Sequence, residues 1–282
     1  MKIYLTTKEI LISQGDDLFK IENTNWDSLV NRDDLYSHVN QLVLQQALRT
    51  DWNSIEGQIK APVQNQEIWA AGVTYLRSRE ARMEESKESG AADFYAKVYE
   101  AERPELFFKS TADRCAGPDE IVHIRRDSQW NVPEPELTLF ISNAGKIVGY
   151  TIGNDMSSRD IEGENPLYLP QAKSYDRSAA IGPCLCVLEK PINEETLIEM
   201  TIERKENVVF QGQISINQMK RKHQELVDFL FREMSFPRGV YLMTGTCLVP
   251  PNDFTLQEGD SISISIEPIG ILRNTVGVKN NE

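Results

Sequence analysis

Hydrophobic and polar positions alternate over many short segments of this 282-residue chain. In the clearest run, Ile262, Ile264 and Ile266 alternate with serines. Alternation with a period of two predicts a strand that is covered on one face. Alternating or short apolar runs predict strands over residues 3–5, 10–12, 18–21, 67–73, 103–109, 121–124, 134–141, 147–152, 196–203, 208–210, 240–243 and 261–266.

Helical spacing of apolar residues occurs in few segments. Residues 38–49 and 225–234 carry apolar side chains every three or four positions, which predicts one helix in each. Residues 77–102 are densely charged and are interrupted by Gly90, which indicates a solvated pair of helices. Many short strands with few helices predict a β-rich α+β fold, a mixed roll or sandwich rather than alternating βαβ units.

The length of the chain allows one large domain, or a large domain with a small partner. A small N-terminal domain is expected over residues 1–65, and a larger domain is expected over residues 66–282. Residues 1–65 contain no motif that indicates catalysis or binding, so this domain is expected to serve only as a packing module.

Charge and composition exclude several classes of protein. The chain has 30 basic and 43 acidic residues, and its net charge of −13 opposes binding to a nucleic acid backbone. No apolar run reaches the roughly 18 residues that cross a bilayer, and the N-terminus lacks the apolar core of a signal peptide. The four cysteines form no CxxC pair, so we expect reduced thiols in the cytoplasm rather than a zinc site. Neither nucleic acid nor membrane is an expected partner.

Candidate chemistry is concentrated in residues 130–184. Glu134 and Glu136 are two positions apart, so in a strand both carboxylates point to the same face. Asp155 follows the predicted strand 147–152 and adds a third carboxylate at a strand end. Carboxylates without histidine or paired cysteine suit a hard cation such as Mg²⁺. Arg159 and Lys173 supply positive charge in the same region.

Four motifs resemble the fumarylacetoacetate hydrolase family: Pro133-Glu134-Pro135-Glu136-Leu137, the run from Gly149 to Asp160, Gln171-Ala172-Lys173-Ser174-Tyr175-Asp176, and Thr244-Gly245-Thr246. The motifs are long, they follow the order of the family, and the resemblance spans residues 66–276. Within the family, three stretches look closest to the branch of 2-keto-3-deoxy-D-arabinonate dehydratases: Arg103 to Lys109, Glu134-Pro135-Glu136, and Glu164 to Pro170.

The resemblance implies a fold, a cofactor and several roles. The fold would be the mixed β-roll of this family, with catalysis in residues 66–282. Glu134, Glu136 and Asp155 would hold a divalent metal, usually Mg²⁺, with Mn²⁺ or Ca²⁺ as alternatives. Lys173 would act at a small 2-keto acid substrate. The charged segment 77–102 would form a lid, and the chain would assemble as a homodimer or homotetramer.

One departure from the family pattern bears on the reaction. Family members that hydrolyse acylpyruvates carry a histidine three residues after the tyrosine that matches Tyr75, and this histidine helps to activate water. Here that position is Ser78, and no histidine lies between His38 and His123. Ser78 can instead bind a hydroxyl or carboxylate of the substrate. The sequence therefore favours a dehydratase over a hydrolase.

The favoured reaction is Mg²⁺-dependent dehydration of 2-keto-3-deoxy-D-arabinonate to 2-ketoglutarate semialdehyde through a metal-bound enolate. Lys173 is expected to move a proton or to stabilise the enolate as a fixed charge. Glu105 is a further candidate acid or base, and Thr246 is a candidate for binding the substrate carboxylate. Arg159 would bind carboxylates of the site or the substrate, or pair with Asp160 or Asp155. The alternatives are a C–C hydrolase of acylpyruvates, a keto-acid tautomerase or decarboxylase, and a metal-binding protein without catalysis.

Overall fold

The computed structural model describes residues 1–45, 48–52, 55, 57–75 and 98–280. Its strands are β1 Lys2–Leu5, β2 Ile10–Gln14, β3 Asp17–Ile21, β4 Leu48–Thr50, β5 Glu67–Gly72, β6 Glu105–Thr111, β7 Cys115–Ala116, β8 Ile121–Ile124, β9 Asn131–Val132, β10 Pro135–Ile141, β11 Ile147–Asp155, β12 Ser157–Ser158, β13 Ala179–Cys186, β14 Leu197–Arg204, β15 Asn207–Ser215, β16 Val240–Met243, β17 Ser261–Ile266 and β18 Gly270–Val278. The β-rich α+β prediction is confirmed.

Helices are short and stand between groups of strands. They are α1 Trp26–Val30, α2 Leu35–Gln45, α3 Arg159–Glu164, α4 Leu169–Lys173 and α5 His223–Leu230. Single 3₁₀ turns occur at Ala112–Arg114, Pro166–Tyr168 and Ile216–Gln218, and residues 98–100 are also helical. Among the residues named above as described, no helix is long and apolar enough to cross a membrane.

Two large sheets organise the described residues. The first has the strand order β4-β3-β2-β1-β13-β11-β10-β16-β5-β6, and β7 also pairs with β13. The second has the order β15-β14-β17-β18-β8, and β9 pairs separately with β12. In the first sheet, β10 is antiparallel to both β11 and β16, whereas β16 and β5 run parallel.

The two faces of β10 show how the layers pack. Leu137 and Leu139 are fully buried in a hydrophobic cluster that also contains Ile264 of β17. Phe140 points to the opposite face and packs in a second cluster with Trp26 of α1. The large sheet is therefore covered by the second sheet on one face and by the N-terminal helices on the other, and strands of this kind are apolar on both sides.

The first 65 residues contribute to the same sheet and core as the rest of the described chain. β1 pairs with β13, with Ile3 opposite Leu185. Ile3 and Leu185 also lie in the cluster of Phe140. The division of the chain at residue 65 stays a prediction.

Several predicted boundaries are wrong for physical reasons. The helix predicted over 38–49 is Leu35–Gln45, and Leu48–Thr50 is a strand because its backbone pairs with β3. The helix predicted over 225–234 is His223–Leu230. β18 was not predicted because a polar residue, Asn274, occupies one of its inward positions and interrupts the apolar alternation. The predicted helix pair lies largely outside the described residues.

Candidate active site

Three carboxylates meet where β10 begins and β11 ends. Glu136 is the second residue of β10, Asp155 is the last residue of β11, and Glu134 immediately precedes β10. Because the strands are antiparallel, with Pro135 opposite Asn154, the start of one lies beside the end of the other. The backbone N–H of Asp155 donates to the Glu134 carbonyl at 2.9 Å. One carboxylate oxygen from each residue lies within 4.8 Å of the others, and all three side chains are buried.

Lys173 and Arg159, which the sequence placed in the same region as the carboxylates, both contact this cluster. Lys173 is the last residue of α4, and its Nζ lies 2.5 Å from Glu134 Oε2 and 3.1 Å from Asp155 Oδ2. Arg159 begins α3 and donates from Nη2 to Glu134 Oε1 at 2.6 Å. Asp160 accepts hydrogen bonds from the Ser128 hydroxyl and the Gln129 backbone. Arg159 therefore contacts a carboxylate of the site.

Lys109 is a functional candidate that sequence reasoning missed. It lies in β6, it is fully buried, and its Nζ is 2.5 Å from Asp155 Oδ1. The same ammonium donates to the carbonyl of Met156 at 2.9 Å and to the carbonyl of Lys173. A lysine within an apolar strand was the available signal, because a buried ammonium needs acceptors around it.

Ser157 is a second residue that sequence reasoning missed. Its hydroxyl oxygen lies 2.5 Å from Lys173 Nζ, and the residue is fully buried in β12. Lys173 thus has a hydroxyl as well as two carboxylates around its ammonium group.

The three carboxylates of the cluster differ in how closely cations surround them. Burial, together with the Asp155 and Glu134 carboxylates nearby, raises the pKa of Glu136 well above its usual value. Burial also pushes the pKa of Asp155 upward, but Lys109 and Lys173 outweigh it and the net pKa is lowered. Among the residues that the structure describes, Glu136 has no ion pair, and its Oε2 accepts the Gly245 N–H at 2.5 Å. Three buried carboxylates, one of them without a cation, form an oxygen donor set that fits a hard divalent ion.

The cluster lies at the base of a narrow cleft whose enclosed volume is about 20 Å³. Val73, Phe107, Thr246 and Cys247 are among its wall residues. Thr246 accepts a hydrogen bond from the Leu248 N–H at 3.1 Å, so its hydroxyl faces the loop that follows β16. Ser78 lies outside the described residues.

Two glycines allow the cleft walls to approach closely. A Cβ at Gly72 would lie 1.9 Å from Glu105 Oε2, so the Glu105 carboxylate rests against the Gly72 backbone. Gly245 has φ +93°, and a Cβ there would lie 2.1 Å from Thr74 Oγ1. Gly72 lines the cleft, and the Glu105 carboxylate therefore lies next to the cleft wall.

The β-rich fold and the buried carboxylate cluster with its lysine define an enzyme that works with a divalent cation. The chain belongs to the fumarylacetoacetate hydrolase family: the family model for fumarylacetoacetate (FAA) hydrolase C-terminal matches residues 67–277. The resemblance inferred from the motifs is confirmed.

Relatives and solved structures specify the branch. A probable 2-keto-3-deoxyxylonate dehydratase of Haloferax volcanii is 50% identical over 216 residues, which are 76% of this chain and 73% of that protein. A 2-dehydro-3-deoxy-D-arabinonate dehydratase of Saccharolobus solfataricus is 43% identical over 76% of this chain and 72% of that protein. A 2-keto-3-deoxy-D-arabinonate dehydratase complexed with magnesium and 2,5-dioxopentanoate superposes with a TM-score of 0.82 at 31% identity and covers 100% of both chains. The chain is an enzyme of the lyase type.

Proposed function

We propose that this enzyme dehydrates 2-keto-3-deoxy-D-arabinonate to 2-ketoglutarate semialdehyde with the help of Mg²⁺. The observation that carries the proposal is the contact of Lys173 with Glu134 and Asp155 in a buried carboxylate cluster. Two relatives that are 50% and 43% identical over 76% of this chain are named as dehydratases of such acids.

The two relatives are named after different sugar acids, but the D-forms of these acids correspond to the same 2-keto-3-deoxy acid. D-Xylonate and D-arabinonate differ only at C2 and C3, and both stereocentres are lost in a 2-keto-3-deoxy acid. The D-forms therefore give one compound, with its single stereocentre at C4. Its dehydration product, 2-ketoglutarate semialdehyde, is the 2,5-dioxopentanoate named in the magnesium complex of the related dehydratase.

Glu134, Glu136 and Asp155 are the residues that would hold the cation, because their oxygens are close together and buried. Mn²⁺ and Ca²⁺ would suit the same oxygen donors. A bound divalent cation polarises the 2-keto group and so makes the C3 protons more acidic.

Lys173 is the group that we assign to the C3 proton. In the first step the C3–H bond and the C4–O bond break, the C3 proton goes to Lys173, and water leaves from C4. The unsaturated acid then loses a proton from C5 and gains one at C3, which gives an enol with a C4–C5 double bond. The enol loses its O–H proton and gains a proton at C4, which yields the aldehyde. Glu105 at the cleft wall would protonate the departing hydroxyl.

Other residues would bind the substrate or hold the carboxylates of the site, and these residues would not transfer protons. Thr246 in the wall would donate hydrogen bonds from its hydroxyl and backbone N–H to the substrate carboxylate. Arg159 would hold Glu134 in place. Ser78 stays a candidate for a substrate hydroxyl. Assembly as a homodimer or homotetramer also stays a prediction.

A coupled assay tests the proposed function. Protein, Mg²⁺ and 2-keto-3-deoxy-D-arabinonate are mixed with an aldehyde dehydrogenase that oxidises 2-ketoglutarate semialdehyde. We expect cofactor reduction that stops when the cation is chelated, and the coupling enzyme is checked separately with chelator and added semialdehyde. The C4 epimer serves as the matched control substrate. Absence of turnover together with cleavage of an acylpyruvate would replace the dehydratase by a hydrolase.

A further inference from the structure

A groove of about 810 Å³ lies outside the active-site cleft, where the ends of the two large sheets meet. Its walls come mainly from residues at the ends of β8 and β18 in the second sheet and from segments that precede β7 and β13 in the first sheet. Among the residues that the structure describes, none that lines the cleft also lines this groove. The groove is therefore a separate surface, and the proposed reaction makes no use of it.

Basic side chains outnumber acidic ones in the groove, although the whole chain has a net charge of −13. Four basic and two acidic side chains line it. Asp127 Oδ2 lies 2.6 Å from Arg125 Nη2. Asp176 Oδ2 lies 2.6 Å from Lys279 Nζ. Each carboxylate of the groove therefore already has a basic partner.

The two other titratable side chains of the lining add no negative charge. Burial lowers the pKa of His123, and burial raises the pKa of Tyr175. Both side chains are therefore neutral near pH 7, and the lining as a whole is positive. A concave surface with an excess of one charge attracts ions of the opposite charge.

Arg114 and Arg126 supply this excess charge, because neither forms an ion pair within the described part of the chain. Arg126 donates from Nε to the carbonyl of Lys279 at 2.9 Å. Arg114 donates from Nε to the hydroxyl of Thr111 at 3.4 Å. The Nη groups of both arginines are therefore available to a ligand, and a guanidinium group can bind a carboxylate through two parallel hydrogen bonds.

The two arginines stand on different sides of the groove. The backbone N–H of Arg177 donates to the Arg114 carbonyl at 2.9 Å, and the Arg177 carbonyl accepts from the His123 N–H at 3.0 Å. These three backbones lie side by side like neighbouring strands, so Arg114 and His123 are about 10 Å apart. Arg126 follows His123 by three positions on that far side. Two guanidinium groups placed in this way fit a ligand with a carboxylate at each end.

We propose that this groove is a second ligand site of the protein, which binds a short aliphatic dicarboxylate between Arg114 and Arg126. Each guanidinium group binds one carboxylate of the ligand. The hydrogen bond from Arg126 to the Lys279 carbonyl orients that arginine before the ligand arrives. The site needs no metal ion, and it goes beyond the proposed function.

Calorimetric titration of glutarate into the full chain tests the proposal. Ionic strength is held constant, and a chelator keeps divalent cations away from the carboxylate cluster. We expect one glutarate to bind per chain. Arg114→Gln and Arg126→Gln should each raise the Kd by at least about tenfold, because a neutral amide replaces a charged group with two parallel donors.

The matched control variant is Arg49→Gln, which removes an exposed ion pair with Asp17 at 2.9 Å and should leave the Kd unchanged. Pentanoate is the control ligand, because it has the same number of carbon atoms and only one carboxylate. It should bind at least about tenfold more weakly than glutarate. Inorganic phosphate is the alternative dianion, and tighter binding of phosphate than of glutarate would overturn the dicarboxylate assignment.

Two further results would overturn the proposal. One is the absence of glutarate binding to the wild type, or a Kd that both arginine variants leave unchanged. The other is a rise in the KM of the substrate with glutarate that is equal in the wild type and in both variants, because glutarate would then occupy the cleft. The binding measurement requires no turnover, so failure of the dehydratase assay would reject the proposed function without affecting this site.

Discussion

Lys173 and Glu134 form a buried ion pair, with the lysine Nζ 2.5 Å from Glu134 Oε2 at the base of the cleft. The pair joins the last residue of α4 to the residue that precedes β10. The proposed mechanism uses this position of Lys173 beside the carboxylates that would hold the cation, and it requires the neutral form of the lysine when the C3 proton is removed.

Lys173→Met should lower kcat by at least about a hundredfold with a much smaller change in KM, because a proton-transfer group acts in the transition state. Steady-state kinetics with 2-keto-3-deoxy-D-arabinonate checks this expectation. The control is Lys279→Met, which breaks an exposed ion pair with Asp176 and should leave both constants unchanged. A change in KM alone would make Lys173 a binding residue.

Glu136→Gln should raise the thermal stability of the metal-free protein at neutral pH. Burial and the neighbouring carboxylates raise the pKa of Glu136 well above its usual 4.5. The stability that its protonated form contributes is fully present below pH 4.5 and is lost as pH rises through the raised pKa. The amide does not ionise, so the variant avoids this loss.

Melting curves with chelator between pH 4 and pH 8 measure this effect. We expect Glu136→Gln to melt a few degrees above the wild type at pH 8 and together with it near pH 4. Added Mg²⁺ should stabilise the wild type more than the variant. Glu199→Gln, on the outer face of the second sheet, is the matched control and should follow the wild type. Equal melting temperatures for Glu136→Gln and the wild type at pH 8 would contradict the assigned pKa shift.

Gly72→Ala should impair turnover by displacing the Glu105 carboxylate, since a Cβ at this position would lie 1.9 Å from Glu105 Oε2. A displacement of about 1 Å at a reacting group costs at least about tenfold in kcat. Mg²⁺ affinity should be retained. Gly277→Ala is the control, because its Cβ would meet the Ile121 side chain at 2.7 Å in the second sheet, away from the cleft. Unchanged kcat in Gly72→Ala would remove Glu105 from the mechanism.

Leu139→Ala should destabilise the protein by about 2–5 kcal/mol, because it opens a cavity between the two large sheets. Denaturant unfolding of the metal-free protein measures the change. Val208→Ala in the exposed part of β15 should shift stability by no more than about 0.5 kcal/mol. A small effect of Leu139→Ala would contradict the packing of the second sheet against β10.

The periodicity of the sequence predicted a β-rich fold, and its local spacing predicted part of the site. Glu134 and Glu136 share a direction because side chains two apart in an extended chain do so, whatever the rest of the fold. Asp155 was predicted at a strand end because it follows the apolar run over residues 147–152. These relationships depend on neighbours in the chain, so the sequence contains them directly.

The remaining relationships needed the tertiary structure. Lys109 contacts Asp155 across 46 positions of the chain, although three strands separate β6 from β11 in the order of the large sheet. The contact of Glu105 with Gly72 depends on the pairing of β5 with β6. Strand order follows from the packing of the whole core, and no local pattern encodes it. The sequence by itself therefore determined that the fold is rich in strands and that Glu134 and Glu136 point in the same direction. Only the tertiary structure decided which cations surround these carboxylates.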